Sequence, residues 1–246
     1  MGTALFFDFS IEAQGGYGFA LFSPAHGVYL LLCAALTAGL CALYRRSGAK
    51  QRRRLRMSLA GAAVAVELLR ALVLLLAGEY GLGRLPLHLC TIAVYLTLYH
   101  ALQGGWLLGQ FLYAFCLPGA AAAILLPDWR CYPPIHFMTL CGFSMHLLTV
   151  AYVLTQAAGG DLRPDIRALP RCLGLMLLLA APVYVFDRLF GTNYMFLNWP
   201  PAGTPLGWFA PLGPGFVLGY LPLAALVWAV MYTPFFRLRR KKARTE

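Results

Sequence analysis

Residues 85–100 read LPLHLCTIAVYLTLYH, and the fold turns on whether this stretch crosses a membrane. Most of its side chains would dissolve in lipid, yet it carries two imidazoles, His88 and His100, and a thiol, Cys90. The rest of the chain argues for lipid: 60% of the 246 residues are apolar, 12% are charged and the mean hydropathy is +0.68. That composition belongs to an integral membrane protein. Counted as a span, residues 85–103 are the third of seven apolar stretches near the ~20 residues that cover the hydrocarbon. The seven run over about 26–44, 58–77, 85–103, 106–126, 138–158, 171–189 and 215–235. The expected fold is therefore all-α, a bundle of seven transmembrane helices making one domain over residues 1–246.

Charge sets the expected orientation. Of the 20 Lys and Arg, sixteen fall between spans one and two, between spans five and six, or at the end of the chain. With seven spans those three segments share one side, and that side is expected to be cytoplasmic. A six-span count would put one of the two largest basic blocks outside. The short segment 1–24, without Lys or Arg, is then external, and the basic tail 237–246 is cytoplasmic. Residues 1–24 lack the basic start of a signal peptide. The expected location is the cell membrane, as a multi-pass protein. The net charge of +11 lies in blocks beside apolar runs, where membrane electrostatics explain it without nucleic acid as a partner.

Six of the seven Cys sit in apolar runs, so no disulfide framework is expected. The His and Cys residues are scattered over different helices, so no metal site and no cofactor is expected. A polar group at membrane depth is costly unless it has a partner or a task. The set that needs one is Glu67, Arg70, His88, Cys90, His100, His146 and Asp187. With ~1.5 Å of rise per residue, Cys90 stands roughly 20 Å above the inner end of its span, and His146 and Arg70 stand roughly 18 Å above theirs. Glu67 lies about a turn lower. These groups share one layer in the outer half of the bilayer. His88 and His100 lie near the two interfaces, where neither needs a catalytic role. The residues between about 190 and 214, which include GTNYMFLNWPPAGTPLGW, are long enough for a lid over the outer face. Trp129, Tyr132, Trp199 and Trp208 suit an interfacial belt.

Three segments carry a family likeness: LPLHLCTIAVYL (85–96), YPPIHFMTLCGFSMH (132–146) and GTNYMFLNWPP (191–201). In that order, between helices and with the glutamate of VELLR (66–70), they resemble the YwaF family of bacterial integral membrane proteins. More remotely the chain is similar to eukaryotic transmembrane protein 164, a phospholipid acyltransferase. Through it, the chain resembles the androgen-induced membrane hydrolases that cleave esters of hydroxy fatty acids. The resemblance implies Cys90 as nucleophile and His146 as its base. Here the sequence has His88 where the YwaF pattern more often has Glu or Gln, and Ser-Met-His at 144–146 where that pattern tends to Ser-His-Gly.

The expected chemistry is acyl transfer or hydrolysis on membrane lipids, with His146 taking the Cys90 proton as sulfur attacks an ester. Arg70 or the Asn193 amide would stabilise the oxyanion, Tyr194 would help bind substrate, and Glu67 would fix the tautomer of His146. The alternative is a lipid or small-molecule transporter using Glu67, Arg70 and His146. A scaffold whose polar groups only join helices is the third class. Nothing in the residues indicates a protein partner.

Overall fold

Proline, capping groups and helix-forming basic residues decide where the apolar runs become helix. The structure, a computed structural model, describes residues 5–201 and 204–242, with side chains as far as Phe235. Among those residues no strand occurs. A short α1 (Ile11–Gln14) precedes α2 (Pro24–Arg46), α3 (Ala49–Leu76) and α4 (Leu89–Gln103). Next, α5 (Trp106–Phe111) runs through a π-helical turn, Leu112–Cys116, into α6 (Leu117–Leu125). The order ends with α7 (Phe137–Gly159), α8 (Leu169–Phe190) and α9 (Tyr220–Lys242).

Six of these helical segments are long and apolar enough to cross a membrane, and α4 is a shorter apolar helix. Residues 85–88, expected to be helical, form a turn flanked by extended Leu85 and His88. Pro86 disfavours the helical region for Leu85, whose ψ is 154°. His88 then caps α4 with φ −67° and ψ 145°, so the helix has 15 residues and spans about 22 Å. Two other boundaries moved. α3 starts at Ala49 rather than near 58, because Lys50–Arg56 are good helix formers that continue the rod past its apolar part. The last apolar run starts as a 3₁₀ segment, Pro205–Gly219, whose prolines and the positive φ of Gly213 delay α9 to Tyr220.

α7 is the axis of the bundle. It touches α2, α3, α4 and α6, and most of its side chains are buried. Small residues permit the close approach: a Cβ at Gly159 would lie 2.6 Å from the Tyr44 ring of α2. On α3, Ala60, Ala63, Glu67 and Leu74 face inward, while Leu68, Leu72, Leu75 and Leu76 face outward. Leu31 and Leu36 of α2, Leu177 and Leu178 of α8, and Leu226 and Val230 of α9 are also exposed. An all-round apolar exterior of this kind suits lipid.

The end of the bundle away from the basic loops is strapped by the amino-terminal segment. The Phe137 N–H donates to the Phe6 carbonyl at 3.1 Å, and the Phe19 N–H to that of Arg130 at 3.0 Å. Glu12 accepts from the Tyr132 hydroxyl at 2.7 Å and pairs with Arg84. Of the basic tail 237–246, α9 carries the backbone as far as Lys242, and residues 243–246 lie outside the described residues.

Candidate functional site

Cys90 is the second residue of α4, at the helix end that carries unpaired backbone donors. The N–H groups of Thr91 and Ile92 donate to the His88 carbonyl at 3.0 and 2.9 Å. Those of Leu89 and Cys90 have no partner among the described residues. Cys90 is partly accessible and packs on a cluster formed by Ala63 of α3, Val94 of α4 and Met145 of α7. A thiol thus sits near two free N–H groups and the positive end of a helix dipole, on a cluster to which the helix carrying His146 contributes.

His146 is almost wholly buried, with its ring held on two sides. Its Nδ1 donates to the Gly142 carbonyl one turn back at 2.7 Å, which leaves the lone pair on Nε2. The Trp129 indole stacks on the imidazole with centroids 4.9 Å apart and planes 26° apart. Gly142 makes room for that indole, since a Cβ there would lie 2.6 Å from it. Nε2 has no partner among the described residues. Asp128, next to Trp129, is close enough to interact electrostatically with His146, Cys90 and His88 alike. His88 also lies within electrostatic range of His146. The structure therefore gathers His88, Cys90, Asp128 and His146 at one end of the bundle.

The remaining expected residues support this end in ways that differ from expectation. Glu67, 1% exposed, is held by Arg70 through Nε at 2.8 Å and Nη2 at 2.7 Å. The tautomer of His146 is fixed by the Gly142 carbonyl instead of Glu67. The Asn193 amide builds a turn. Its Oδ1 accepts from the N–H groups of Asn198 and Trp199 at 3.0 and 3.1 Å, and its Nδ2 donates to the Trp199 carbonyl at 2.9 Å. The Tyr194 hydroxyl accepts from the Leu85 N–H at 2.8 Å and donates to the Leu82 carbonyl. His88 Nδ1 accepts from the Met195 N–H at 3.3 Å, with its ring edge-on to Tyr194. Residues 85–90 and 193–198, which carried much of the family likeness, are in direct contact.

Asp187 anchors that loop. Its buried Oδ1 accepts from the Thr192 hydroxyl at 2.6 Å and the Tyr194 N–H at 2.9 Å. Met195 and Phe196 take φ values of 54° and 55°, left-handed geometry that a side chain adopts only when its surroundings impose it. Trp199 and Trp208 are exposed as expected of a belt, whereas Tyr132 is 1% exposed and Trp129 turns inward onto His146. Asp128, Trp129 and Gly142 escaped the sequence reading. A Gly four residues before a membrane His was the available signal for the last. His100 stands apart at the other end, bonded through Nδ1 to the Tyr152 hydroxyl at 2.8 Å.

The TMEM164 family model matches residues 21–232, a range that holds all of these groups. The chain belongs to the TMEM164 family. No curated protein and no solved structure matches it. Family membership and six helices of spanning length make this TMEM164-family chain a multi-pass membrane protein.

Proposed function

We propose that this protein transfers acyl chains between membrane lipids, or hydrolyses them, with Cys90 as nucleophile and His146 as general base and acid. What supports the proposal is a thiol at the amino end of α4, packed on a cluster that includes Met145 of α7, and the next residue of α7, His146, whose Nδ1 proton is pinned and whose Nε2 is unpartnered. Nε2 takes the thiol proton as sulfur bonds to the ester carbonyl carbon. The oxyanion is met by the free N–H groups of Leu89 and Cys90. The carbon–oxygen bond then breaks, and the leaving alkoxide takes the proton back from Nε2. In the second half, a lysophospholipid hydroxyl or water gives its proton to Nε2 and attacks the thioester; the carbon–sulfur bond breaks and the Cys90 sulfur takes the proton back from Nε2. A site lined by apolar helices limits water and favours transfer over hydrolysis.

Asp128 stabilises the imidazolium formed in each half-reaction, being within electrostatic reach of His146. Glu67 and Arg70 neutralise one another on one helix, which weighs against a proton path through them and so against transport. The protein's motifs resemble those of the YwaF proteins, and the more remote resemblance, through transmembrane protein 164, to the androgen-induced hydrolases implies acyl-ester chemistry. In the membrane, α4 makes the third of seven crossings, short because residues 85–88 turn before the helix begins. The amino terminus is external and the basic end cytoplasmic. Incubation with a phospholipid carrying a labelled acyl chain, followed by acid quench and peptide mass spectrometry, is expected to find the label as a hydroxylamine-sensitive thioester on Cys90. Label on another residue, or none while turnover proceeds, overturns the assignment.

A further inference from the structure

At the opposite end of the bundle, some 20 Å of helix from Cys90, a recess of about 700 Å³ opens between the ends of α3, α4, α5 and α7. Arg53, Arg56 and Arg163 line it, with His100, Trp106 and Gln156. Its charge is unbalanced. The lining carboxylate, Asp161, is shared by Arg52 at 3.0 Å and Arg56 at 3.4 Å. Arg53 and Arg163 have no carboxylate partner among the described residues. Gln156 is only 3% exposed, and its Nε2 donates to the Tyr152 carbonyl at 3.0 Å. Its Oε1 has no protein partner among the described residues, and the side chain lines the recess, so the acceptor is open to a ligand there. Gln110 holds the wall in place: its Nε2 donates to the Arg163 carbonyl at 3.0 Å and its Oε1 accepts from the Asp165 N–H at 2.8 Å.

We infer that this recess binds a phosphate ester bearing a free hydroxyl group, with the Arg53 and Arg163 guanidinium groups on the phosphate and Gln156 Oε1 accepting from the hydroxyl. A guanidinium presents paired donors that match phosphate oxygens, and an amide oxygen facing a recess without a protein donor accepts from a ligand hydroxyl. The same chemistry occurs in a glycerol-bearing phospholipid headgroup and in free glycerol phosphate. Trp106, 53% exposed at the rim, suits a site at the membrane interface. The inference is independent of acyl chemistry at Cys90.

The test uses full-length protein in phosphatidylcholine nanodiscs doped equally with phosphatidylglycerol or phosphatidylmethanol, the second being a phosphodiester without the hydroxyl. Bound lipid is counted by native mass spectrometry. Phosphatidylglycerol is expected to be retained over both other lipids, and Arg53→Gln with Arg163→Gln to reduce retention at least tenfold. Gln156→Leu is expected to abolish the preference over phosphatidylmethanol, which reads the site even if the double variant fails to fold. Displacement by soluble glycerol phosphate would assign the site to the free ester, and lack of displacement to the lipid; either supports it. Equal retention of all three lipids, or wild-type retention by a folded double variant, overturns it.

Discussion

His146 shows how much a single residue depends on its immediate neighbours. The Gly142 carbonyl decides which ring nitrogen is basic, and the absence of a Cβ on Gly142 lets Trp129 lie on the ring. His146→Gln keeps a polar side chain but provides no base. Acyl transfer is expected to fall about 10²- to 10⁴-fold while the thermal midpoint of the purified protein stays near that of wild type. Gly142→Ala should act differently, because its methyl group meets the Trp129 indole. A loss of about 1–3 kcal/mol, read as a lowered unfolding midpoint, is expected together with reduced turnover. At this scale the sequence disclosed the reactive pair as candidates through depth and resemblance. It did not disclose what tunes them. The partner of Nδ1 is a backbone carbonyl, which has no residue type of its own, and Glu67 drew attention because a carboxylate is visible in a sequence. Asn193 drew attention for the same reason, and the sequence did not disclose that three bonds of its amide build its own turn.

Elements set where those residues stand. Pro86 and the cap at His88 shorten α4, and this places Cys90 at a helix end with free N–H groups instead of one turn inside a longer helix. The loop 193–198 then braces residues 82–88 through Tyr194 and Met195. Tyr194→Phe would leave the Leu82 carbonyl and the Leu85 N–H without this partner, at a cost of about 1–3 kcal/mol. A lower unfolding midpoint is expected in differential scanning fluorimetry, with turnover falling further than stability alone requires because the start of α4 loosens. Most helices were legible, since apolar length is a strong signal. Boundaries were less so: Lys and Arg extend α3 past its apolar part, whereas proline and glycine between 205 and 219 hold back α9. The meeting of segments about a hundred residues apart in sequence was suggested only by their shared place in a family pattern.

The whole molecule is an axis helix, α7, surrounded by helices that expose leucine and valine. One end is strapped by the amino-terminal segment and holds the thiol and imidazoles. The other carries the basic blocks and the recess around Arg53 and Arg163. The proposed seven crossings put the two termini on opposite faces of the membrane. A reporter active only in the cytoplasm is therefore expected to work when fused after residue 246 and to fail when fused before residue 1. Activity at both ends would require an even number of crossings and would remove the outer-leaflet placing of Cys90. The central claim is that Cys90 carries acyl chains. Phospholipid mass spectrometry after incubation with purified protein tests it most directly: wild type should redistribute acyl chains among lipids and Cys90→Ala should fall to the protein-free background, whereas equal redistribution by a folded Cys90→Ala variant would contradict the claim.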